Sequence, residues 1–370
     1  MEKIRILVVL GNSGRGGAQT FAVNLLRAID KNCFQIDFVF NELEDGYEKE
    51  IRELGSKIYL LPRFKGFNWI NFNKKWNELL SNNKYDIIHG HVSSSASIYL
   101  KIAKKHGLKT ILHSHSAGYR GNPVVIFIKK IFTFRAKKYA DYWFSCSEKA
   151  AVRLFGKNYA NNKRYYEIPN AINTNAFAFN LETRKKIREE LGVSDNCFLV
   201  GHVGSLTYPK NHEFLLDIFG AIKSIKNDSK LAIVGSGPLE ARVKNKAKKM
   251  NLLESIIFAG CVPNPNDFLM SFDLLIFPSR FEGLPVTIVE AQATGLLVLM
   301  SDVITTHVKI TDLVNSMSLK EPAYVWAKKA CELKLIEDRR LYSKTVAETS
   351  FNTKKMSEMI SNIYMKIMEG

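Results

Sequence analysis

The sequence has few cysteines and no long apolar run. Its five cysteines are scattered and include no Cys-x-x-Cys pair. This pattern argues against a disulfide framework and a zinc site, and it favours reduced thiols in a cytosol. The first apolar run, Ile6 to Leu10, is too short to cross a bilayer and predicts a buried strand. We therefore expect a cytoplasmic protein without a signal peptide or a membrane span.

Acidic residues are scarce in the first half of the chain. Residues 1–180 contain 28 Lys and Arg against 14 Asp and Glu, a net charge of +14, whereas residues 181–370 contain 25 against 22, a net charge of +3. A basic half indicates an anionic partner such as a membrane surface, a phosphorylated lipid or a nucleic acid, although solvated lysines without a partner would give the same balance. Because no RNA- or DNA-binding module is recognisable, we expect no nucleic-acid partner.

Strand and helix patterns alternate along the chain and restart in its middle. A buried-strand pattern at Ile4–Leu10 leads into a glycine-rich loop and a helical pattern at Ala18–Ile29. The same order recurs at Asn196–His202, which is followed by a turn at Gly204 and a helical stretch at Glu213–Ile225. This alternation predicts parallel sheets with helices on both faces, and the chain is long enough for two such cores.

The junction between the two repeats is predicted in the polar, turn-prone stretch at residues 169–184. We predict a first Rossmann-like domain over residues 1–178, a second over residues 179–350, and a final helix over residues 351–370 that returns to the first domain. The expected fold class is α/β, with two Rossmann-like domains facing each other across a cleft. Ligands of such sheets bind beyond the carboxyl ends of the strands.

The strongest motif spans Phe277 to Gly295. It places Glu282 in a loop after a strand and Glu290 eight residues further on, in a helix. Gly283 allows backbone N–H groups to approach a ligand closely, and the N-terminus of the helix favours an anion. Two carboxylates in this arrangement suit hydrogen bonds to sugar hydroxyls. The same pattern also fits a capped helix with two solvated carboxylates.

This segment resembles the Glu-x7-Glu signature of the family 4 retaining glycosyltransferases, which have the GT-B fold. The resemblance implies that Glu282 contacts the donor sugar and that Glu290 contacts the ribose of the nucleotide. It also implies that Gly283, Leu284 and Pro285 supply backbone amides to the donor. The resemblance covers nearly the full chain and, within the family, is to bacterial enzymes that build capsule or exopolysaccharide. The first domain would then bind the acceptor and the second the donor.

Motifs in the first half agree with this resemblance. Gly14–Gln19, which includes Gly16 and Gly17, is similar to the family's glycine loop, which faces the donor phosphates and the acceptor. His115 stands where the family places a histidine near the donor sugar, although a histidine at this position could also belong to the core.

The second half contributes a loop that resembles the family's phosphate-binding segment. This loop spans Gly201–His212 and includes Gly204, Ser205 and Lys210. Gly237, in a Gly-Ser-Gly-Pro sequence, follows a strand; with no third glycine it indicates a tight turn near the nucleotide rather than a dinucleotide fingerprint.

One residue departs from the family pattern. The family usually has an arginine directly after Gly204 and a lysine five residues later; Lys210 is kept, but Ser205 takes the place of the arginine. A hydroxyl provides neither the charge nor the two-pronged donor geometry of a guanidinium. Three outcomes stay open: another cation such as Arg280 or Arg15 compensates, the donor binds more weakly, or activity is lost.

A histidine cluster and an apolar, basic segment each allow two interpretations. His89, His91 and His113 could be taken for a metal cluster, but no carboxylate motif accompanies them, so we expect no metal. The segment Val124–Lys138 is both apolar and basic, which suits the interface of an anionic membrane. A helix packed on its own sheet with a solvated basic edge would have the same composition.

The resemblance implies transfer of a hexose or N-acetylhexosamine from a nucleotide sugar, expected to be a UDP-sugar, with retention at the anomeric carbon. The expected acceptor is a saccharide or a polyprenyl-diphosphate-linked sugar at the inner face of the plasma membrane. The expected catalytic residues are His115, Lys210 and Glu282, and no cofactor or metal is expected. Lys210, helix N-termini and loop amides would stabilise the departing diphosphate.

Two alternatives share the fold. A GT-B subunit that binds sugar nucleotides with weakened or lost catalysis would fit Ser205. A GT-B sugar-nucleotide epimerase would share the fold and the donor, but its expected carboxylates are not those of these motifs.

Overall fold

The computed structural model describes residues 2–115, 133–262 and 264–369, and the chain divides into two compact units. Unit 1 comprises Met1–Ala171 together with Thr353–Gly370, and unit 2 comprises Ile172–Asn352. The sequence predicts boundaries after residues 178 and 350, whereas the contacts of the chain place them after residues 171 and 352. Near this boundary, the amide of Ile172 donates to the carbonyl of Phe351 at 2.8 Å, so the two ends of unit 2 are joined.

Unit 1 is a parallel sheet of seven strands in the order β3-β2-β1-β4-β5-β6-β7. The strands are β1 (Ile4–Val9), β2 (Phe34–Phe40), β3 (Ile58–Leu60), β4 (Ile87–Gly90), β5 (Lys109–Ser114), β6 (Tyr142–Ser145) and β7 (Tyr165–Glu167). The helices are α1 (Gly17–Ala28), α2 (Glu48–Glu53), α3 (Trp69–Asn82), α4 (Ala96–Lys105), α5 (residues 133–139), α6 (Glu148–Phe155) and, from the end of the chain, α14 (Thr353–Glu369).

Alternation along the strands gives unit 1 two apolar layers. In β1, Ile6 and Val8 pack into the layer that also contains α1 and α14, whereas Leu7 and Val9 pack into the layer of α3 and α4. Each layer covers one face of the sheet, which explains why the strands are apolar on both sides. The C-terminal helix therefore completes the core of unit 1.

Unit 2 is a parallel sheet of six strands in the order β10-β9-β8-β11-β12-β13. The strands are β8 (Phe198–Val203), β9 (Ser229–Val234), β10 (Ile256–Gly260), β11 (Leu274–Phe277), β12 (Leu297–Ser301) and β13 (Val314–Met317). The helices are α7 (Leu181–Glu190), α8 (His212–Ile225), α9 (Glu240–Lys249), α10 (Pro265–Ser271), α11 (Val286–Ala293), α12 (Ala323–Glu332) and α13 (Tyr342–Ala347).

A buried arginine ties the helix ends of unit 2 together. The guanidinium of Arg339 donates hydrogen bonds of 2.9–3.2 Å to backbone carbonyls at the C-terminal ends of α10 and α11. These carbonyls belong to Leu269, Met270, Phe272 and Thr294. The partial negative charge of the two helix termini stabilises the buried cation.

Both sheets are parallel and alternate with helices, which confirms the predicted α/β class. Among the described residues, no helix is long and apolar enough to cross a membrane. Of the segment Val124–Lys138, residues 124–132 lie outside the described residues. Its remainder belongs to α5, where Phe134 is exposed and Lys137 donates to the carbonyl of Phe155.

Candidate active site

The predicted site residues fall into two groups, one in each unit. Unit 2 holds the larger group, at the carboxyl edge of its sheet. Eight of these residues lie on the loops that follow β8, β9 and β11, and Glu290 lies in α11. The eight are Gly204, Ser205, Lys210, Gly237, Glu282, Gly283, Leu284 and Pro285. Unit 1 holds the smaller group: Gly16, Gly17 and His115.

Two loops of unit 2 pack so closely that they require glycine. A side chain at Gly235, whose φ is +130°, would place its Cβ 2.2 Å from the carbonyl oxygen of Gly204. A Cβ on Gly237 would lie 2.6 Å from the carbonyl oxygen of Leu206. The loop after β9 therefore supports the loop after β8, and this contact explains the glycines of the Gly-Ser-Gly-Pro motif.

Lys210 and Glu282 form an ion pair in unit 2. The Nζ atom of Lys210 lies 2.8 Å from Oε1 of Glu282, and both side chains are more than four-fifths buried. The same ammonium lies 4.6 Å from the centre of the Phe277 ring. A Cβ on Gly204 would lie 3.1 Å from Cε of Lys210, so the lysine passes directly over the Gly204 loop. Two residues 72 positions apart in the sequence are thus in direct contact.

Glu290 lies on α11, and its pKa is raised. Burial raises the pKa of its carboxyl from 4.5 to about 7, and the positive charge of Lys210 opposes part of this shift. Burial disfavours the charged form of a carboxylic acid, which is the cause of the upward direction. A carboxyl that titrates near neutrality can accept or donate a hydrogen bond to a ligand hydroxyl according to pH.

The loop between Glu282 and α11 corrects one of the predicted amide donors. Pro285 precedes the first residue of α11 and has no backbone N–H, so it cannot donate to a ligand. The backbone N–H groups of this segment belong instead to Gly283, Leu284 and the first helical residues, Val286 and Thr287. The N-terminus of α11 can still attract an anion through these groups.

Ser205 contacts little in the described chain. Its hydroxyl lies 3.3 Å from that of Thr207, at the surface. Arg280, from the loop after β11, stacks on the ring of Tyr208 at 4.4 Å and donates to the carbonyl of Tyr208 at 2.8 Å. Arg280 is therefore a cation of unit 2 held against the turn that leads from Ser205 to Lys210. Arg15 belongs to unit 1, where its guanidinium lies over the ring of Tyr47.

Two histidines that the sequence analysis did not select lie beside Lys210. His202, in β8, donates from Nδ1 to the carbonyl of Ile276 at 2.9 Å, and its ring lies 4.6 Å from that of His212. Burial lowers the pKa of both, that of His212 to about 4, with Lys210 contributing in the same direction. Both rings are neutral at pH 7. A histidine inside an apolar strand is typical of a core position, so the sequence carried no signal for His202.

In unit 1, the glycine loop leads directly into α1. Gly16 caps the helix without a side-chain hydrogen bond, and Gly17 is its first residue. A Cβ on Gly17 would meet Asn170 at 3.8 Å, an ordinary contact, so packing among the described residues does not by itself require glycine here. The helix contributes Phe21, whose ring lies 5.2 Å from that of His115.

Both ring nitrogens of His115 are engaged within unit 1. Nδ1 lies 3.2 Å from Oδ1 of Asn170, and Nε2 lies 2.7 Å from Nδ1 of His91. Because the amide oxygen can only accept, His115 donates from Nδ1 and accepts at Nε2. His91 then donates from Nδ1, and its Nε2 carries a lone pair that is buried and has no partner among the described residues. Burial lowers the pKa of His115 to about 4, so it is neutral at pH 7.

The remaining histidines continue this buried network. His89 contacts the hydroxyl of Tyr364, from α14, at 2.6 Å and Nδ1 of His113 at 3.1 Å. Burial also lowers the pKa of His89, to about 3. The C-terminal helix thereby fixes the orientation of a histidine at the end of β4.

The nitrogens of His89, His91 and His113 approach one another closely enough to be considered as metal ligands, within 4.8 Å. However, both nitrogens of His89 and Nδ1 of His113 are already hydrogen-bonded. Only the Nε2 atoms of His91 and His113 lack partners among the described residues. Two free nitrogens are fewer than the three or four protein ligands of a zinc site. The absence of a metal stays a prediction.

Comparison with known structures identifies the fold of the protein. The structure matches that of HepE from Anabaena, solved in complex with UDP, with a TM-score of 0.79 at 14% identity, covering 98% of this chain and 100% of that one. Together with the two parallel sheets, this likeness identifies the GT-B fold that the sequence predicts.

Sequence comparison identifies the family. A model described as "Glycosyl transferases group 1" matches residues 183–346, and one described as "Glycosyltransferase Family 4" matches residues 15–176. The chain belongs to the family 4 (group 1) glycosyltransferases, which confirms the predicted family and enzyme class.

Two relatives lie within this family. The chain is 29% identical over 368 residues to EpsF of Bacillus subtilis (strain 168), named as a glycosyltransferase, covering 97% of this chain and 96% of that protein. It is 27% identical over 234 residues to a "UDP-Gal:alpha-D-GlcNAc-diphosphoundecaprenol alpha-1,3-galactosyltransferase" of Escherichia coli, covering 61% of this chain and 60% of that one.

Proposed function

We propose that this glycosyltransferase transfers a hexose or N-acetylhexosamine from a UDP-sugar, with retention, to a saccharide or lipid-linked acceptor in surface polysaccharide synthesis. The observation that carries the proposal is the ion pair between Lys210 and Glu282 at the carboxyl edge of the unit 2 sheet. It joins a cation suited to a diphosphate with a carboxylate suited to sugar hydroxyls. The name of the Escherichia coli relative supports both the UDP donor and the lipid-linked acceptor.

In this proposal, Lys210 exchanges Glu282 for the donor diphosphate. The ammonium then faces the negative charge that develops as the bond between the anomeric carbon and the phosphate oxygen breaks. Released from the ion pair, Glu282 accepts hydrogen bonds from the donor sugar. Glu290, on the helix that follows, accepts from the ribose in its charged form. Amides at the N-terminus of α11 and Lys210 would neutralise the leaving group without a metal.

The acceptor hydroxyl attacks the anomeric carbon from the face that the diphosphate leaves. Its oxygen forms the new glycosidic bond, and its proton passes to the departing phosphate oxygen, so that UDP and the glycoside are the products. No protein nucleophile is required by this scheme. We propose that the neutral His115 helps to position the donor sugar, and that Gly16 and Gly17 allow the backbone of unit 1 to approach the substrates.

Ser205 favours a second candidate, a subunit that binds UDP-sugars with little or no turnover. A missing guanidinium weakens a diphosphate clamp. Against this candidate, Arg280 lies on the turn at Tyr208 and provides a nearby cation. The two candidates differ in turnover rather than in binding, so they can be separated directly.

The first experiment is calorimetric titration of the full chain with UDP in the presence of EDTA, with NAD as the control. We expect micromolar-range binding of UDP and none of NAD. Radiolabelled UDP-sugars are then supplied with a membrane lipid extract, and retention of label in the lipid phase measures transfer. Binding without transfer for any donor would favour the binding subunit. If UDP bound without EDTA but not with EDTA, the metal-free scheme would be contradicted.

Glu282→Ala tests the assignment of the site. We expect transfer to be lost because the carboxylate that contacts the sugar is gone. The fold should be kept because Glu282 lies in the loop between β11 and α11, outside the apolar core of unit 2. Circular dichroism checks the fold, and Glu254→Ala, which removes an exposed carboxylate from the same unit, is the matched control. A folded Glu282→Ala enzyme with unchanged turnover would overturn the assignment.

A further inference from the structure

An apolar surface protrudes from unit 1 between β3 and α3. Phe67 is 88% exposed, Ile70 is 82% exposed and Trp69 is 50% exposed. Three large apolar side chains exposed within four residues are unusual for a surface without a binding partner. We call Phe67, Trp69 and Ile70 the apolar tip.

The apolar tip is held in a fixed conformation. The side chain of Asn68 accepts from the amide of Lys65 at 2.8 Å and donates to the carbonyl of Arg63 at 2.8 Å, which closes the loop. Gly66 permits the turn because its φ is +84°. Behind the tip, the Phe64 ring packs edge-on against Trp69 at 6.0 Å. The loop therefore presents its apolar side chains without the entropic cost of ordering them on binding.

Positive charge surrounds the apolar tip. From Leu54 to Asn77 the sequence contains five Lys and Arg and no Asp or Glu. Two of the five, Lys74 and Lys75, pair with Glu78 further along α3, which leaves Lys57, Arg63 and Lys65. Arg63 and Lys65 are exposed and have no acidic partner among the described residues. Aromatic and aliphatic side chains flanked by basic residues suit the interface of an anionic bilayer, where rings enter the headgroup region and cations meet lipid phosphates.

The apolar tip adjoins a polar cavity at the edge of the sheet where ligands bind. This cavity, of about 300 Å³, shares Arg63 and Phe64 with the loop. Its other walls follow the carboxyl ends of β1, β2 and β4 and include Asn12, Asn41, Glu42, Ser94 and Ser95. Amide, hydroxyl and carboxylate groups of this kind suit sugar hydroxyls. A membrane seated on the loop would bring lipid headgroups next to this cavity.

We propose that the apolar tip, with Arg63 and Lys65, is a surface on which unit 1 binds an anionic membrane. The proposal rests on the proposed function, because a lipid-linked acceptor would bring the enzyme to a membrane. Membrane binding itself requires neither donor nor turnover, so the two can fail separately.

The test is flotation of the full chain with vesicles of phosphatidylcholine alone or mixed with phosphatidylglycerol. We expect binding to the anionic vesicles only. Phe67→Ser/Ile70→Ser should lower the partition constant at least tenfold, whereas Tyr324→Ser/Leu341→Ser, which removes two other exposed apolar side chains from unit 2, should not change it. Both pairs keep the buried core intact.

Charge variants measure the electrostatic contribution to vesicle binding. Arg63→Gln/Lys65→Gln should lower binding to anionic vesicles by roughly fivefold for each charge removed, because a basic residue near such a surface contributes about 1 kcal/mol. Lys248→Gln/Lys249→Gln removes the same charge from α9 in unit 2 and is the matched control. Equal loss in both variants would mean that only the net charge acts, which would overturn the proposal.

Tryptophan fluorescence supplies a second readout. Of the four tryptophans, Trp76 and Trp326 are buried, and Trp143 is half-buried with its ring stacked on Phe155. A blue shift on adding anionic vesicles should therefore come from Trp69 and vanish in Trp69→Phe while binding persists. If the apolar tip instead covers a second copy of the chain, Phe67→Ser/Ile70→Ser would dissociate a dimer in light scattering and leave vesicle binding unchanged. That result, or vesicle binding unaffected by every loop variant, would overturn the proposal.

Discussion

Replacement of Glu290 by Gln should stabilise unit 2 at high pH and have little effect at low pH. The carboxyl of Glu290 is partly buried on α11, and burial raises its pKa from 4.5 to about 7. Between pH 4.5 and about pH 7, the Glu290 carboxyl holds a proton in the folded protein but has lost it in the unfolded chain. The free energy of unfolding therefore falls as the pH rises through this range, and the full cost is present above pH 7.

The magnitude follows from the size of the pKa shift. At 1.36 kcal/mol per pKa unit, the shift from 4.5 to about 7 corresponds to about 3 kcal/mol. Because Glu290 is only partly buried, solvent reduces this cost, and we expect Glu290→Gln to stabilise unit 2 by about 2 kcal/mol at pH 8. At pH 5 the carboxyl is neutral in the folded protein, and the substitution should change the stability little.

Native-state hydrogen exchange of the β11 and β12 amides, referenced to intrinsic rates at each pH, measures the stability of unit 2 separately from that of unit 1. Glu254→Gln, an exposed carboxylate in the same unit, is the matched control. An equal effect of Glu290→Gln at pH 5 and pH 8, or a loss of stability at pH 8, would refute the argument. UDP affinity measured on the same samples at pH 8 should be lower for Glu290→Gln than for the unmodified protein, because the glutamine cannot supply a charged acceptor to the ribose.

Three further substitutions test particular contacts. Gly235→Ala should destabilise unit 2 by at least about 2 kcal/mol in urea titrations because its Cβ would clash with a carbonyl oxygen, whereas Gly192→Ala, at positive φ in open space, should cost only about 1 kcal/mol. Arg339→Met should lower the free energy of unfolding by about 3–5 kcal/mol in the same titration, because buried carbonyls lose their donors. Arg340→Met, at an exposed position, should be nearly neutral. Similar losses in both variants would contradict a stabilising role of the hydrogen bonds from Arg339. Ser205→Arg should tighten UDP binding in calorimetry, and an unchanged affinity would mean that another cation already fills this role.

The sequence predicts the architecture because buried parallel strands are short apolar runs separated by amphipathic helices. It is less informative at the edge of a sheet. β13 reads Val-Asn-Ser-Met, with only two apolar residues, and was not predicted, since an edge strand buries less of its surface. The unit boundary also differs from the prediction, because Asn170–Asn175 is turn-prone while pairing between the chain ends of unit 2 leaves no local pattern.

Within the site, the signals in the sequence depend on spacing. The resemblance to the family identifies Glu282 and Glu290 by their fixed separation, and Lys210 by its position five residues after Ser205. No spacing predicts that Lys210 contacts Glu282, or that His115 pairs with His91 through Nε2. His202 and His212 lie within the segment Gly201–His212 but were not selected as site residues, because a histidine in an apolar strand or at the start of a helix resembles a core residue. These relations depend on how separate loops meet in three dimensions.

The return of α14 to unit 1 has a consequence for biosynthesis. Unit 2 is continuous in sequence, so all of its residues are synthesised before α14. Until then, unit 1 lacks Met356, Ile360 and Tyr364 of its core and a hydrogen-bond partner of His89. A chain truncated before α14 would therefore carry a complete unit 2 attached to an incomplete unit 1, whose apolar α1 face is open to chaperones. Maturation of the histidine network would be the last step in assembly of the enzyme.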